Sequence, residues 1–347
     1  MTNAFREALE RDLQLGVLSD PAAADWDYIR RTRHDVDQPL VFDYHGPDDL
    51  VHWIADRFDR LDRGDFQGAR SRGFWRARPS YMPHEDDLLA RSAEAHEQIL
   101  AGLDGLRYDP ELHRPQDVYN VQDFHYCTAL GSGIRTVLDY GAGYGRQSFL
   151  FATVLDGARY VAVDAVEQPY MVQRWALDRL GLARWDYVDD LSPEPAVVER
   201  AFADASGAFH LPSWRLDLLP EGSVDLVLFV WSLYEMSGAA VRAAVAACRR
   251  LVRLGGYVYV RDVPHSVSYR FDPERQLVRA GFELVYSSRT ISADELHGQQ
   301  RLYRRTSRGQ GGARRAAAAV ALRPRVRRFR STRAALAEGR RQRRERR

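Results

Sequence analysis

The chain has 347 residues, 45% of them apolar, which suffices for one large or two modest domains around a real core. Its formal charge of +2 hides an asymmetry: residues 309–347 hold 14 Arg and 2 Glu, leaving a net charge of about −10 on the rest, and all 50 basic residues are Arg, a bias of coding composition rather than of chemistry. Two cysteines, Cys127 and Cys248, exclude a disulfide framework, the charges along residues 1–12 exclude a secretory signal, and the longest apolar run, residues 226–233, is far short of a membrane span, so a cytoplasmic protein is expected.

Residues 1–116 read as a mainly helical accessory region with acidic patches. Leu50, Trp53, Ile54, Phe58 and Leu61 predict an amphipathic helix over 48–61, and Leu88, Leu89, Ala95, Ile99 and Leu103 a second over 87–103. The Arg- and aromatic-rich stretch 72–83 reads as a packed loop, although rings with Arg also suit a sugar or base. His84 and the three acids after it read as helix N-terminal charges rather than a metal site. Another helical stripe over 117–130 ends at Gly131.

From Arg135 onward strands alternate with helices, the signature of a parallel sheet covered on its faces. Val137 and Leu138 form a short buried strand, and Asp139 stands at its end. Gly141, Gly143 and Gly145 follow at a spacing of two, and a helix is predicted over 146–155. Glycines let backbone approach a ligand without a Cβ clash, and the free amides of a helix N-terminus donate to it, so this stretch predicts a nucleotide cradle. Arg146 occupies the third glycine position of a dinucleotide fingerprint, which disfavours a nicotinamide cofactor. Residues 159–164 are a second strand. Its last residue, Asp164, lies 21 positions after Gly143, where a carboxylate can take both hydroxyls of a ribose.

A helix is predicted over 168–180, an insertion with one helix over 182–208, and a third strand with its exit loop over 209–217. The fourth strand is 222–230. The helix predicted over 240–254 has Cys248 on its apolar stripe and Gly255-Gly256 as its stop. Strands are then predicted at 257–262, 282–288 and 299–305, with a short helix over 273–280 between the first two. The Arg/Ala-rich tail, residues 309–347, reads as a solvated, disordered extension able to make weak contacts with an anionic membrane or nucleic acid.

Laid end to end, Asp139-x-Gly-x-Gly-x-Gly145, the acid at position 164, Leu219-Pro220 before Ser223-Val-Asp-Leu-Val227, and the strand ending in Asp262 resemble the class I S-adenosylmethionine (SAM)-dependent methyltransferase superfamily across residues 117–308. That resemblance implies a Rossmann-like fold: a mostly parallel seven-stranded sheet with one antiparallel strand and helices on both faces. It implies SAM as cofactor, held by Asp139, Gly141, Ala142, Gly143 and Gly145, with Asp164 on the ribose, Trp231 alongside, and Asp217 (or Ser213 or Trp214 nearby) on the adenine. Tyr119 or Gln122, on the helix before the first strand, is placed to cover it. Ser232-x-x-Glu235-Met236 after the fourth strand is similar to the sugar O-methyltransferase family, which implies a hydroxyl acceptor on a sugar or glycan-containing metabolite. Val230, where that family has a polar residue, and the basic tail depart from the pattern.

A neutral hydroxyl is a poor nucleophile, so methyl transfer to it calls for a base at the carboxyl edge of the sheet. Glu235 and His265 are the candidates, with Asp262 to orient the histidine or hold a divalent ion; no other metal site is expected. Two other readings stay open: methylation of a non-sugar natural product, and a nucleic-acid-binding protein acting through its basic tail.

Overall fold

The computed structural model describes residues 4–16, 85–101, 107–108, 110–128, 133–143, 145–155, 157–165, 167–189, 195–204, 206–233, 236, 238–262, 272–287 and 299–306. Helices α1 (Ala4–Gln14), α2 (Glu85–Leu100) and α3 (Pro110–Thr128) precede strand β1 (Thr136–Tyr140). A π-helical turn (Leu150–Val154) leads to β2 (Arg159–Asp164), α4 (Glu167–Arg179), β3 (Ala183–Asp186), α5 (Pro195–Asp204) and β4 (Gly207–Pro212). After a 3-10 turn (Ser213–Leu218) come β5 (Val224–Val230), α6 (Gly238–Leu251), β6 (Val252–Asp262), α7 (Pro273–Arg279), β7 (Phe282–Ser287) and β8 (Gln299–Arg305).

The strands form a single eight-stranded sheet in the order β3-β4-β2-β1-β5-β6-β8-β7. Only β8 runs against its neighbours β6 and β7; the other adjacent pairs are parallel. The carboxyl ends of β1, β2, β4, β5 and β6 therefore share one edge. Strand order reverses between β1 and β5, which opens a crevice at that edge.

Strands β1, β2, β4 and β5 are buried on both faces, which explains why they read as continuous apolar runs rather than alternating ones. Leu138, Val161, Val163, Val227 and Phe229 point into one layer with Phe202 of α5, Val241 of α6 and Leu277 of α7. Val137, Tyr160, Ala162, Leu226 and Leu228 point into the other with Leu88 of α2, Val121 of α3 and Phe151 of the π-turn. The Rossmann-like class expected from the sequence is the class observed.

Three local readings change. The insertion 182–208 contains an edge strand, β3, as well as its helix. Its four residues are exposed or half-buried, so they carry no apolar period to reveal it. Helix α6 ends at Leu251, three residues before its expected last residue, because Val252–Leu254 already belong to β6. Gly255-Gly256 lies inside that strand, beside a register shift against β5. Gly255 has a φ of +81°, and a Cβ at Gly256 would lie 2.8 Å from the Asp225 carbonyl oxygen. The pair thus makes a strand irregularity, not a helix cap. Helix α3 begins at Pro110, seven positions earlier than the apolar stripe suggested.

Helix α1 packs at the exit of β4. Phe5 touches the rings of Tyr170 and Trp214 at centroid distances of 4.9 and 5.1 Å. Buried Asp12 accepts from the Tyr187 hydroxyl at 2.7 Å and the Trp214 indole at 3.0 Å. The helix expected over 48–61, the loop 72–83, His84 and the tail 309–347 lie outside the described residues.

Candidate functional site

The turn after β1 is docked onto the neighbouring strand. The amides of Gly141 and Ala142 both donate to the Val163 carbonyl, at 2.8 and 3.4 Å. Gly141, Gly143 and Gly145 have φ values of +75°, +63° and +73°, the left-handed region that glycine enters at least cost. Among the described residues nothing beyond its chain neighbours lies within 4 Å of where a Cβ on Gly143 would stand. That open space above bare backbone at the crevice suits a ligand that must come close to the main chain. Beneath the turn, Asp139 is buried and its Oδ2 accepts from the Tyr160 hydroxyl at 2.6 Å. Burial pushes its carboxyl up to about 6, against the Tyr160 hydrogen bond and the Arg146 charge, which hold it down.

Asp164 closes β2 and is buried. Its Oδ2 accepts from Gln173 Nε2 at 3.0 Å, and the same nitrogen donates to the Gly143 carbonyl at 3.0 Å. The glycine turn and the ribose-type acid, 21 residues apart in sequence, therefore meet on one amide group. Gln173 in turn faces His210 on β4, and His210 faces Asp186 on β3.

On the other side of the crevice, Trp231 follows β5 with a φ of +58°, the single non-glycine positive φ among the described residues. Its amide donates to the Arg261 carbonyl at 2.9 Å. Ser232 is buried, and its hydroxyl donates to the Tyr140 carbonyl at 2.7 Å. Under α3 lies an ionic group: Arg261 pairs with Asp123 at 2.9 Å, both buried. Asp123 also accepts from Gln147 at 2.8 Å and from the Tyr259 hydroxyl at 2.7 Å. Burial raises the Asp123 carboxyl above its ordinary range although Arg261 and Arg146 pull it down. Tyr119 lies under the Arg261 guanidinium, 5.0 Å from its ring centre, and burial drives its phenol up; Gln122 is buried on the same helix.

Asp217, in the 3-10 turn after β4, is exposed and pairs with Arg215 at 3.1 Å, while Trp214 is buried under α1. Asp262 is the last residue of β6. Glu235 and His265 lie outside the described residues. The structure thus gathers Gly141, Ala142, Gly143, Gly145, Asp164 and Trp231 at the carboxyl edge of the sheet, with Asp139 buried within β1. Sequence reasoning missed Gln173, His210, Asp186, Asp123 and Arg261; each is a polar residue within a helix or strand, and nothing adjacent in the sequence shows its partner. Among the described residues no cluster of three or more His, Cys, Asp or Glu is arranged to hold a metal ion, and no helix is long and apolar enough to cross a membrane.

No known protein-family model matches the chain, and no curated protein does. Similar solved structures include the cyclase SpnF, 14% identical, with 66% of this chain and 98% of that one covered at a TM-score of 0.41. A SAM-dependent methyltransferase from Aquifex aeolicus is 17% identical, covering 57% of this chain and 98% of that one at 0.39. The 1,6-didemethyltoxoflavin-N1-methyltransferase of Burkholderia thailandensis, with S-adenosylhomocysteine bound, is 21% identical, covering 66% and 92% at 0.36.

Proposed function

We propose that this chain is a SAM-dependent methyltransferase that methylates a hydroxyl of a sugar or glycan-containing metabolite. The observation that carries the cofactor reading is the joint placement of Gly143 and Asp164, bare backbone and buried carboxylate tied by Gln173 at the switch point of the sheet. In this reading the turn 141–145 lets the cofactor lie against main chain, and Asp164 takes the ribose hydroxyls. Trp231 walls the crevice from the β5 side. Asp217, or Ser213 or Trp214 in its stead, takes the adenine, and Asp139 supports the turn from beneath.

SAM carries an activated methyl group, so the protein's work is to align the acceptor oxygen in line with it and remove the proton. Glu235 follows β5 and His265 follows β6 in the chain, and these two are the proposed bases, with Asp262 orienting the histidine. The sugar acceptor rests on the Ser232-x-x-Glu235-Met236 resemblance.

Calorimetry with S-adenosylhomocysteine tests the cofactor reading: saturable binding, weakened by Asp164→Asn, is expected, and binding of a nicotinamide dinucleotide in its place would overturn it. Transfer of labelled methyl from SAM to a panel of glycosides and non-sugar hydroxyl compounds tests the acceptor, with label on the non-sugar compounds alone refuting the sugar assignment. Glu235→Gln or His265→Ala is expected to abolish turnover while leaving S-adenosylhomocysteine binding intact. Unchanged turnover in both would remove them as bases.

A further inference from the structure

The side chain of Gln173 is fully buried, and its surroundings fix which way its amide points. Both groups on its Nε2 side, Asp164 Oδ2 and the Gly143 carbonyl, only accept hydrogen bonds. Turning the amide over would set oxygen against oxygen twice. With the nitrogen on that side, Oε1 faces His210 Nε2 at 3.1 Å, so that ring nitrogen carries a proton. The other ring nitrogen, Nδ1, lies 2.9 Å from Asp186 Oδ2. Asp186 Oδ1 already accepts from the Tyr170 hydroxyl at 2.7 Å and the Val188 amide at 3.1 Å. Burial, which would raise the Asp186 carboxyl, is outweighed by the charge and hydrogen bond of His210, the Tyr170 hydroxyl and Arg174, and the group is held below its ordinary range. Asp186 is therefore a carboxylate, and it faces the His210 ring across Nδ1. The ring is also stacked on Tyr170, with centroids 3.6 Å apart and planes 17° from parallel.

Three elements thus converge on one amide: β3 through Asp186, β4 through His210, and α4 through Gln173 and Tyr170. Arg174 reaches the same carboxylate at 4.0 Å and also holds Asp189 at 2.7 Å. A fully satisfied buried chain of this kind is rigid, and each bond polarises the next. Its far end is the acid at the tip of β2.

We infer that Gln173, clamped by His210 and Asp186, is a positioning residue that makes the Asp164 carboxylate and the Gly143 carbonyl one preset unit for recognising the ribose of a bound nucleoside. The inference rests on the cofactor reading above and adds to it the group that sets the geometry of the ribose acid. Without the Gln173 donor, Asp164 would lose the bond that ties it to the Gly143 carbonyl, and its advantage for a ligand with two adjacent hydroxyls would fall.

A ligand–variant cycle separates this role from a merely structural one. Dissociation constants are measured for S-adenosylhomocysteine and for an analogue lacking both ribose hydroxyls, on the full chain and on Gln173→Glu and Gln173→Leu. The wild type is expected to prefer the hydroxylated ligand by about tenfold to a hundredfold, the range of hydrogen bonds to a charged group. In both variants that preference should collapse towards unity, while the analogue binds as it does to the wild type. Equal weakening of both ligands, or an unchanged preference, would overturn the inference. If the wild type binds S-adenosylhomocysteine but shows the same preference without Gln173, this inference falls and the cofactor reading stands; if it binds neither ligand, both fall. A measurement independent of any variant's folding is nitrogen NMR of His210 in the free protein. A protonated Nε2 is expected, and an Nε2 without a proton would break the relay.

Discussion

Gly141 and Ser232 lie so close that a Cβ built at position 141 would sit 2.6 Å from the Ser232 Cβ. The contact joins the turns that leave β1 and β5, the two strands between which the sheet changes direction, and the Ser232 hydroxyl fastens it by donating to the Tyr140 carbonyl. Any widening there displaces the glycine turn from its seat on β2.

Gly141→Ala is accordingly expected to destabilise the protein by about 2 kcal/mol or more, combining a left-handed backbone with an overpacked contact. Gly143→Ala meets open space and carries only the backbone cost of about 1 kcal/mol, yet it should weaken S-adenosylhomocysteine binding, since its methyl group enters the cradle. Urea unfolding and calorimetry on the two variants check both halves; equal stability losses would contradict the packing argument.

Trp231 holds a conformation that glycine adopts without penalty. Trp231→Gly and Trp231→Ala both remove the indole, but the glycine variant relieves the backbone as well. It should be the more stable of the two by about 1 kcal/mol, which chemical denaturation resolves. The reverse order would show that the left-handed residue carries no strain.

Asp139 gives the stability curve a pH dependence of stated sign. Its carboxyl titrates at about 6 in the folded chain, against about 3.9 unfolded, so the folded form holds the proton more tightly. The stabilisation this confers is complete below about pH 3.9 and is lost as pH rises through about 6, on the order of 2–3 kcal/mol in all. Asp139→Asn, whose amide oxygen can still accept from Tyr160, should flatten that part of the curve. Unfolding free energies of both proteins between about pH 4 and 7 provide the comparison, and parallel curves would count against the assignment.

Arg261 and Asp123 form a buried ion pair beneath α3. Arg261→Met leaves the Asp123 charge buried without its guanidinium partner, and a loss of about 3–5 kcal/mol is expected. Adding Asp123→Asn removes the stranded charge and should recover part of it. Failure of the second substitution to recover anything would place the cost in lost packing over Tyr119 instead.

Much of this architecture is legible in the chain. The glycine spacing, the acid at the tip of the second strand and the strand–helix alternation follow from local conformational demands that sequence displays directly. What stays hidden depends on partners far along the chain. His210 is one imidazole in an otherwise apolar strand, and Gln173 is one amide on a helix. Nothing near either shows that they meet each other and Asp164. The edge strand β3 was missed because a strand with little buried surface carries no alternation. Leu254 shows the opposite case: the last residue of the expected helix proves to be 60% exposed on β6.

Asp12 and Trp214 are 202 positions apart, and that separation shapes how the molecule assembles during synthesis. Among the described residues, Phe5 meets Tyr170 and Trp214, so its packing is completed only once the turn after β4 has been synthesised. The seat of the first helix thus depends on a closure across 202 residues, the kind of distant contact that forms late and slows folding.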